Sequence, residues 1–284
     1  MSSIQTIGVC GAGTMGSGIA QVAAQSKYRT ILFDLNEAVL EKAKASIQKN
    51  LSILAEKGKI SAEEKEAVYN SILFTSAIDD CVADLIIEAI IEKVDAKVDL
   101  FTQLAAINNE QTIFASNTSS LSVTTIAERP PHPERIIGMH FFNPAPLMKL
   151  VEIVNTSFTK KEITDTAYTL IKQFGKIPVI CKDAPGFIVN RVARHYYLEA
   201  LKLAEQGIAD FATIDTILEA TGFKMGPFRL MDLIGNDINF AVTTSLYEAC
   251  GQPVRFKPSP IQEAKVKAGE LGKKTGKGYY NYEL

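Results

Sequence analysis

The sequence predicts an α/β chain: a doubly wound, mainly parallel sheet of Rossmann type with a helical-hairpin insertion, followed by a smaller all-α domain. Three observations predict it. Short β-rich apolar runs alternate with helical patterns through residues 1–183, a glycine-rich turn directly follows the first run, and residues 184–284 are dominated by helical periodicity.

The first strand is "TIGVCG", and a helix opens near Thr14. "TILFDL" follows as the second strand. Nearly forty residues then separate it from "ILFT", and they read as two helices, Glu37 to Lys57 and Ser61 to Tyr69, around the turn "EKGKIS". One crossover needs only one helix, so this hairpin is an insertion. On the residues alone, Lys57 and Lys59 are either solvated or placed beside an anionic ligand. "ADLIIEAI", "TIFASN", "RIIGMHFF" and "KLVEIV" supply further strands. After "KIPVICKDAPGF" the pattern changes, which sets a boundary near Asp183 to Gly186, where Pro185 suits entry into a helix. Beyond it Asp210 and Asp215 read as helix caps, and "GYYNY" is the one late strand candidate.

Bulk properties exclude several classes of function. With 284 residues, 46% hydrophobic and 22% charged, the chain reads as an ordinary globular protein of two domains. Thirty basic against thirty-two acidic residues leave a net charge of −2, which gives no reason to expect nucleic-acid or membrane-surface binding. The start "MSSIQTIGVCGAG" has neither the basic region nor the long apolar stretch of an export signal, so the cytoplasm is the expected location. Cys10, Cys81, Cys181 and Cys250 are scattered, and with only three histidines in the chain neither a disulfide framework nor a metal site is expected.

"VCGAGTMGSGIA" sets Gly11, Gly13 and Gly16 in G-x-G-x-x-G spacing between the first strand and the first helix. Glycines allow a tight turn and a close backbone approach to a pyrophosphate, while free amides at the helix start stabilise its charge. Asp34 ends the second strand eighteen residues after Gly16, where a carboxylate accepts both ribose hydroxyls and repels a 2′-phosphate. NAD is therefore favoured over NADP, and a flavin, the other cofactor this motif can serve, ranks well behind NAD.

His140 lies near the C-terminal end of "RIIGMHFF", the sheet edge at which ligands bind in such folds. Glu152 follows twelve residues later in "KLVEIV", so adjacent strands can bring carboxylate and imidazole together. That pairing fixes the ring's tautomer and leaves its other nitrogen free for proton transfer, as oxidation of an alcohol requires when its carbon gives up hydride. "FASNTSSLSV" offers Ser116, Asn117, Thr118, Ser119 and Ser120 at another sheet edge, and "PGFIVNR" offers Asn190. By residue type alone these are also ordinary turn, cap or packing residues.

Together "GAGTMGSGIAQ", "SNTSSLS", "MHFFNPAPLMKLVE", "DAPGFIVNR", "MGPFRLMDLIG" and "LGKKTGKGYY" resemble the 3-hydroxyacyl-CoA dehydrogenase family, in its short bacterial 3-hydroxybutyryl-CoA dehydrogenase type, across the whole chain. The resemblance implies that His140 is the acid/base, that Glu152 orients it, and that Ser119 and Asn190 position the substrate oxygen. For NAD it implies contacts from Gly11, Ala12, Gly13, Thr14, Met15, Gly16, Asp34, Glu88, Lys93, Ser119, Asn143 and Lys274. Lys93 departs from the family pattern, in which asparagine is commoner. The hairpin is implied to lie over coenzyme A, through Lys59 and Ser52 beside the substrate contacts of Ser119 and Asn190. The helical domain is implied to form a homodimer and to close the substrate cleft.

Those implications describe an NAD-dependent enzyme acting on an acyl-CoA, 3-hydroxybutyryl-CoA first. "VARHYYLEALKLAEQGIAD" and "LMDLIGNDINFAVTTS" look closer to the branch that oxidises 3-hydroxyadipyl-CoA, in which Arg194 or His195 could meet a distal carboxylate; both also read as surface positions on a helix. A catalytically silent NAD-binding relative would lack the base or its partner, whereas this chain has His140, Glu152, Ser119 and Asn190. A dehydrogenase of other hydroxy acids is the remaining alternative, and a requirement for coenzyme A separates the two.

Overall fold

A computed structural model describes residues 4–283. They divide into two compact units between Ala184 and Pro185. The first unit runs β1 (Thr6–Cys10), α1 (Thr14–Gln25), β2 (Arg29–Phe33), α2 (Glu37–Glu56), α3 (Ala62–Asn70), β3 (Ile72–Thr75), β4 (Leu85–Glu88), α4 (Val94–Ile107), β5 (Ile113–Ser116), α5 (Val123–Ala127), β6 (Ile136–Phe141), β7 (Leu150–Asn155), α6 (Lys161–Gln173) and β8 (Ile177–Lys182). Its strands form one sheet in the order β3-β2-β1-β4-β5-β6-β7-β8. Neighbours are parallel throughout except β6 and β7, which pair antiparallel. The direction of winding reverses between β1 and β4, and that switch opens the crevice in which such sheets bind ligands.

Apolar pattern explains the layers. β1, β2 and β4 are almost wholly buried, as strands covered on both faces must be. Helix α2 buries Leu40, Ala43, Ile47 and Leu51, a spacing of three and four that draws one stripe along its length against the core. Asn36 caps α2 by accepting the amide of Ala38, and Ser61 opens α3 with a reciprocal capping box to Glu64. The hairpin is thus two helices, with Ser61 as the cap of the second rather than its first turn.

The second unit contains α7 (Val189–Glu205), α8 (Phe211–Ala220), α9 (Pro227–Ile234), α10 (Asn236–Ala249) and α11 (Pro260–Lys267). Tyr197, Leu201, Phe228, Met231 and Tyr279 lie in its core. Asp210 caps α8 as its sequence position suggests, but Asp215 does not cap a helix of its own. Buried inside α8, its carboxylate accepts the amides of Phe228 and Arg229 and so closes the start of α9. "GYYNY" is not a strand either: it forms only isolated bridges around Lys277, because this unit offers it no sheet to join. Asp232 holds it instead, accepting the amides of Tyr279 and Tyr280 and the hydroxyl of Tyr282. Among the described residues no helix is long and apolar enough to cross a membrane.

Close packing at the switch point depends on glycine. A Cβ at Gly16 would lie 1.7 Å from the carbonyl oxygen of Gly11, inside any tolerable contact. Alanine is the better helix former by about 1 kcal/mol, yet Gly16→Ala is expected to lower stability by about 2–3 kcal/mol because backbone must move. Urea unfolding followed by circular dichroism measures the difference.

Candidate active site

The antiparallel step of the sheet builds the central pair. In the β6–β7 register His140 stands directly opposite Glu152, and opposed residues of an antiparallel pair project to the same face. Both side chains are buried, at 5% and 1% exposure, which removes water as a competing partner. His140 Nδ1 lies 2.7 Å from Glu152 Oε2. A carboxylate only accepts, so the Nδ1–H donates, and Nε2 is left as the basic nitrogen. Phe142 covers the imidazole, with ring centroids 4.5 Å apart.

The loop carrying Ser119 is held from below by an acidic residue that the sequence reading did not single out. Glu92 accepts from Thr118 Oγ1 at 2.5 Å, from the amides of Ser119 and Ser120, and from Ser120 Oγ. Lys97, at 1% exposure on α4, pairs with Glu92 at 3.2 Å and with Glu88 at 2.5 Å. Burial pushes the Glu92 carboxyl upward, but Lys97 and the loop hydroxyls outweigh it and leave the group below its ordinary value. For Glu88 burial prevails, raising its carboxyl despite Lys97 and Ser116. Glu88 is wholly enclosed, with its oxygens taken by Lys97, Ser116 Oγ and the amide of Ile90. Lys93 is exposed at the N-cap of α4.

Around the glycine turn each glycine has a separate reason. Gly11 adopts a φ of +99°, and a Cβ there would meet the carbonyl of Ala89 at 2.6 Å. At Gly13, by contrast, a Cβ would meet no protein atom within 4 Å. The start of α1 has no side-chain cap, so its first amides are available to a phosphate. Thr14 and Met15 follow in the first turn, Thr14 exposed and Met15 half-buried. Asp34 accepts the amide of Ala12 through Oδ2 and that of Asn36 through Oδ1, both near 2.9 Å, which ties the end of β2 to the turn. These features fit NAD: amides for the pyrophosphate and a carboxylate for the ribose.

A hollow of about 320 Å³ adjoins the turn, lined by Gly13, Thr14, Lys42, Ser46, Asn50 and Asn143 among others. Lys42, Ser46 and Asn50 recur every four residues along one face of α2, a spacing visible in the sequence but unused there. Ser52 is half-buried on α2, while Lys57 and Lys59 are exposed at the turn after it. Asn143 sits on a loop tethered by Lys176, whose Nζ donates to the carbonyls of Ala145 and Met148 at 2.6 and 2.7 Å. Burial lowers the pKa of that lysine.

Within the second unit Asn190 occupies the first turn of α7, and its carbonyl accepts from Arg194 Nε at 3.2 Å. Arg194, read from the sequence either as a contact for a distal carboxylate or as a surface position, is enclosed within this unit. It is 3% exposed and bonds Asn239 and Thr243 on α10, while His195 is exposed and its ring lies tilted against that of Phe256, centroids 5.2 Å apart. Lys274 pairs with Asp237 at 2.6 Å.

Comparison with known proteins agrees with this geometry. Residues 6–184 match the model of the 3-hydroxyacyl-CoA dehydrogenase NAD-binding domain, and residues 186–282 match that family's C-terminal domain. The 3-hydroxyadipyl-CoA dehydrogenase of Escherichia coli (strain K12) is 45% identical over 284 residues; the alignment takes in 99% of this chain but only 60% of that relative's length. Mitochondrial hydroxyacyl-coenzyme A dehydrogenase of Sus scrofa is 41% identical, over 99% of this chain and 92% of that one. In structure, (S)-3-hydroxybutyryl-CoA dehydrogenase from Ralstonia eutropha superposes with a TM-score of 0.95 at 37% identity, covering 99% of this chain and all of the other. With both domains matched in order along its length, the chain belongs to the 3-hydroxyacyl-CoA dehydrogenase family and carries that family's NAD-binding domain.

Proposed function

We propose that the protein interconverts an (S)-3-hydroxyacyl-CoA and the corresponding 3-ketoacyl-CoA, with 3-hydroxybutyryl-CoA as its first substrate. The observation that carries this reading is the buried His140–Glu152 pair at the ligand edge of a dinucleotide-binding sheet. NAD, when bound, supplies the hydride acceptor, or in reduced form the donor. His140 Nε2 takes the proton of the 3-hydroxyl during oxidation and returns it to the carbonyl oxygen during reduction. Glu152 keeps Nδ1 protonated, so that the nitrogen facing substrate is the base, and its negative charge stabilises the imidazolium that forms. Ser119 donates to the substrate oxygen, which leaves His140 to move the proton.

Glu88 is wholly enclosed, so the coenzyme contact expected of it passes to Glu92, whose side chain is 38% exposed beside Ser119. The row Lys42, Ser46 and Asn50 joins Lys57, Lys59 and Ser52 along the hairpin as the surface for the coenzyme A arm, with the lysines meeting its phosphates. The helical unit acts as a homodimerisation surface, supported by apolar side chains such as Ile217, Phe223 and Ile238, each more than half exposed. A second reading, 3-hydroxyadipyl-CoA, draws support from the E. coli relative at 45% identity. The enclosure of Arg194 removes one cation that reading would have used.

His140→Gln is expected to lower kcat by about 10²–10⁴-fold with NADH affinity nearly unchanged, read by acetoacetyl-CoA reduction and by NADH fluorescence titration; unchanged turnover would remove the mechanism. Acetoacetyl-CoA and 3-oxoadipyl-CoA assayed side by side rank the two substrate readings by kcat/KM, with the former expected to lead. NADPH in place of NADH should be the poorer reductant, and Asp34→Ala should narrow that gap.

A further inference from the structure

Strand β6 outruns the strand beside it. Its parallel pairing with β5 ends at Ser116 opposite Gly138, yet β6 continues to His140 and Phe141. The main chain after Ser116 cannot follow, because it turns away so that Thr118, Ser119 and Ser120 can reach Glu92. Asn117 stands at that departure. Its side-chain Oδ1 accepts the amide of Phe141 at 2.8 Å, and its own amide donates to the carbonyl of Glu88 on β4 at 2.8 Å. One short amide side chain thus supplies the ladder bond that the departing backbone gives up.

We infer that Asn117 is a positioning residue for His140, resting on the reading of His140 as the acid/base. Glu152 holds the imidazole from the β7 side of β6. Asn117 fixes the backbone next to His140 from the β5 side. With both ties, the end of β6 is fastened on both edges while the loop carrying Ser119 is free to leave the sheet. Without the Asn117 tie, the Phe141 amide loses its acceptor and the strand end is held by β7 alone. Small displacements at a reacting group carry large kinetic penalties, about a hundredfold for 1 Å.

The test uses Asn117→Ala, Asn117→Asp and His140→Gln in the full-length protein, with turnover expressed per NADH-binding site so that misfolded material does not count. Asn117→Ala is expected to lower kcat about tenfold to a hundredfold, to leave NADH affinity within about threefold, and to shift the acid limb of the kcat/KM pH profile. Asn117→Asp keeps the accepting oxygen and should retain most of wild-type turnover. Wild-type kcat and an unmoved acid limb in Asn117→Ala would overturn the assignment, and so would an Asn117→Asp variant as impaired as Asn117→Ala. If His140→Gln is inactive while Asn117→Ala is normal, only the role of Asn117 falls. If His140→Gln itself turns over normally, the base assignment falls instead.

Discussion

One antiparallel register brings His140 and Glu152 together, and the rest of the site is arranged around that pair. Every other neighbouring pair in the eight-stranded sheet is parallel, and β6 against β7 alone reverses direction. The reversal lets a short connection return the chain so that Glu152 stands opposite His140. A slip of one residue in either strand would carry the carboxylate to the other face of the sheet and leave a buried ring without its partner. Gly138 protects the register: a Cβ there would meet Val154 Cβ at 2.7 Å, so the two strands approach as closely as the pairing requires only because that side chain is missing.

The loops around the pair are fastened by charge that has been taken out of water. Lys97 lies between Glu88 and Glu92, with 1% exposure for the lysine and none for Glu88. Removing ions from water is costly, and such a cluster is a poor source of net stability. Its value is geometric. Glu88 joins β4 to β5 through Ser116, Glu92 gathers three consecutive loop residues, and one ammonium sets both carboxylates at fixed distances. Lys176 does comparable work on the loop of Asn143 with carbonyls instead of carboxylates, so a buried cation is satisfied there without an opposing ion.

The glycine turn, Asp34 and the histidine–glutamate pair were legible in the sequence because each is a local signal: a spacing, a strand end, a rare residue in an apolar run. Glu92 and Lys97 were not, since a glutamate and a lysine near the start of an amphipathic helix look like an ordinary solvated first turn. Only the tertiary fold encloses Lys97 and sets Glu92 beneath Thr118. Asp215 misled for a related reason. An aspartate inside a helical pattern resembles a cap, and nothing in its own neighbourhood announces that its acceptors serve the amides of Phe228 and Arg229 on the next helix. The tyrosines of "GYYNY" carry a strand's composition, but a strand exists only where another strand can pair with it.

Arg194 shows how far composition can mislead about specificity. A cation in the second turn of a helix and four residues after Asn190 invites the thought of a ligand carboxylate. Its guanidinium instead donates to the carbonyl and side chain of Asn239 and to Thr243 Oγ1, all neutral, while its Nε bonds the carbonyl of Asn190. Burial lowers its pKa to about 10, which is the mark of a charge held by dipoles with no counter-ion near enough to compensate. An arginine already committed to four oxygens of its own unit has little left for a substrate, and withdrawing it would remove three hydrogen bonds that run from α7 to α10. Its role in the fold is therefore to tie α7, the helix that carries Asn190, to α10.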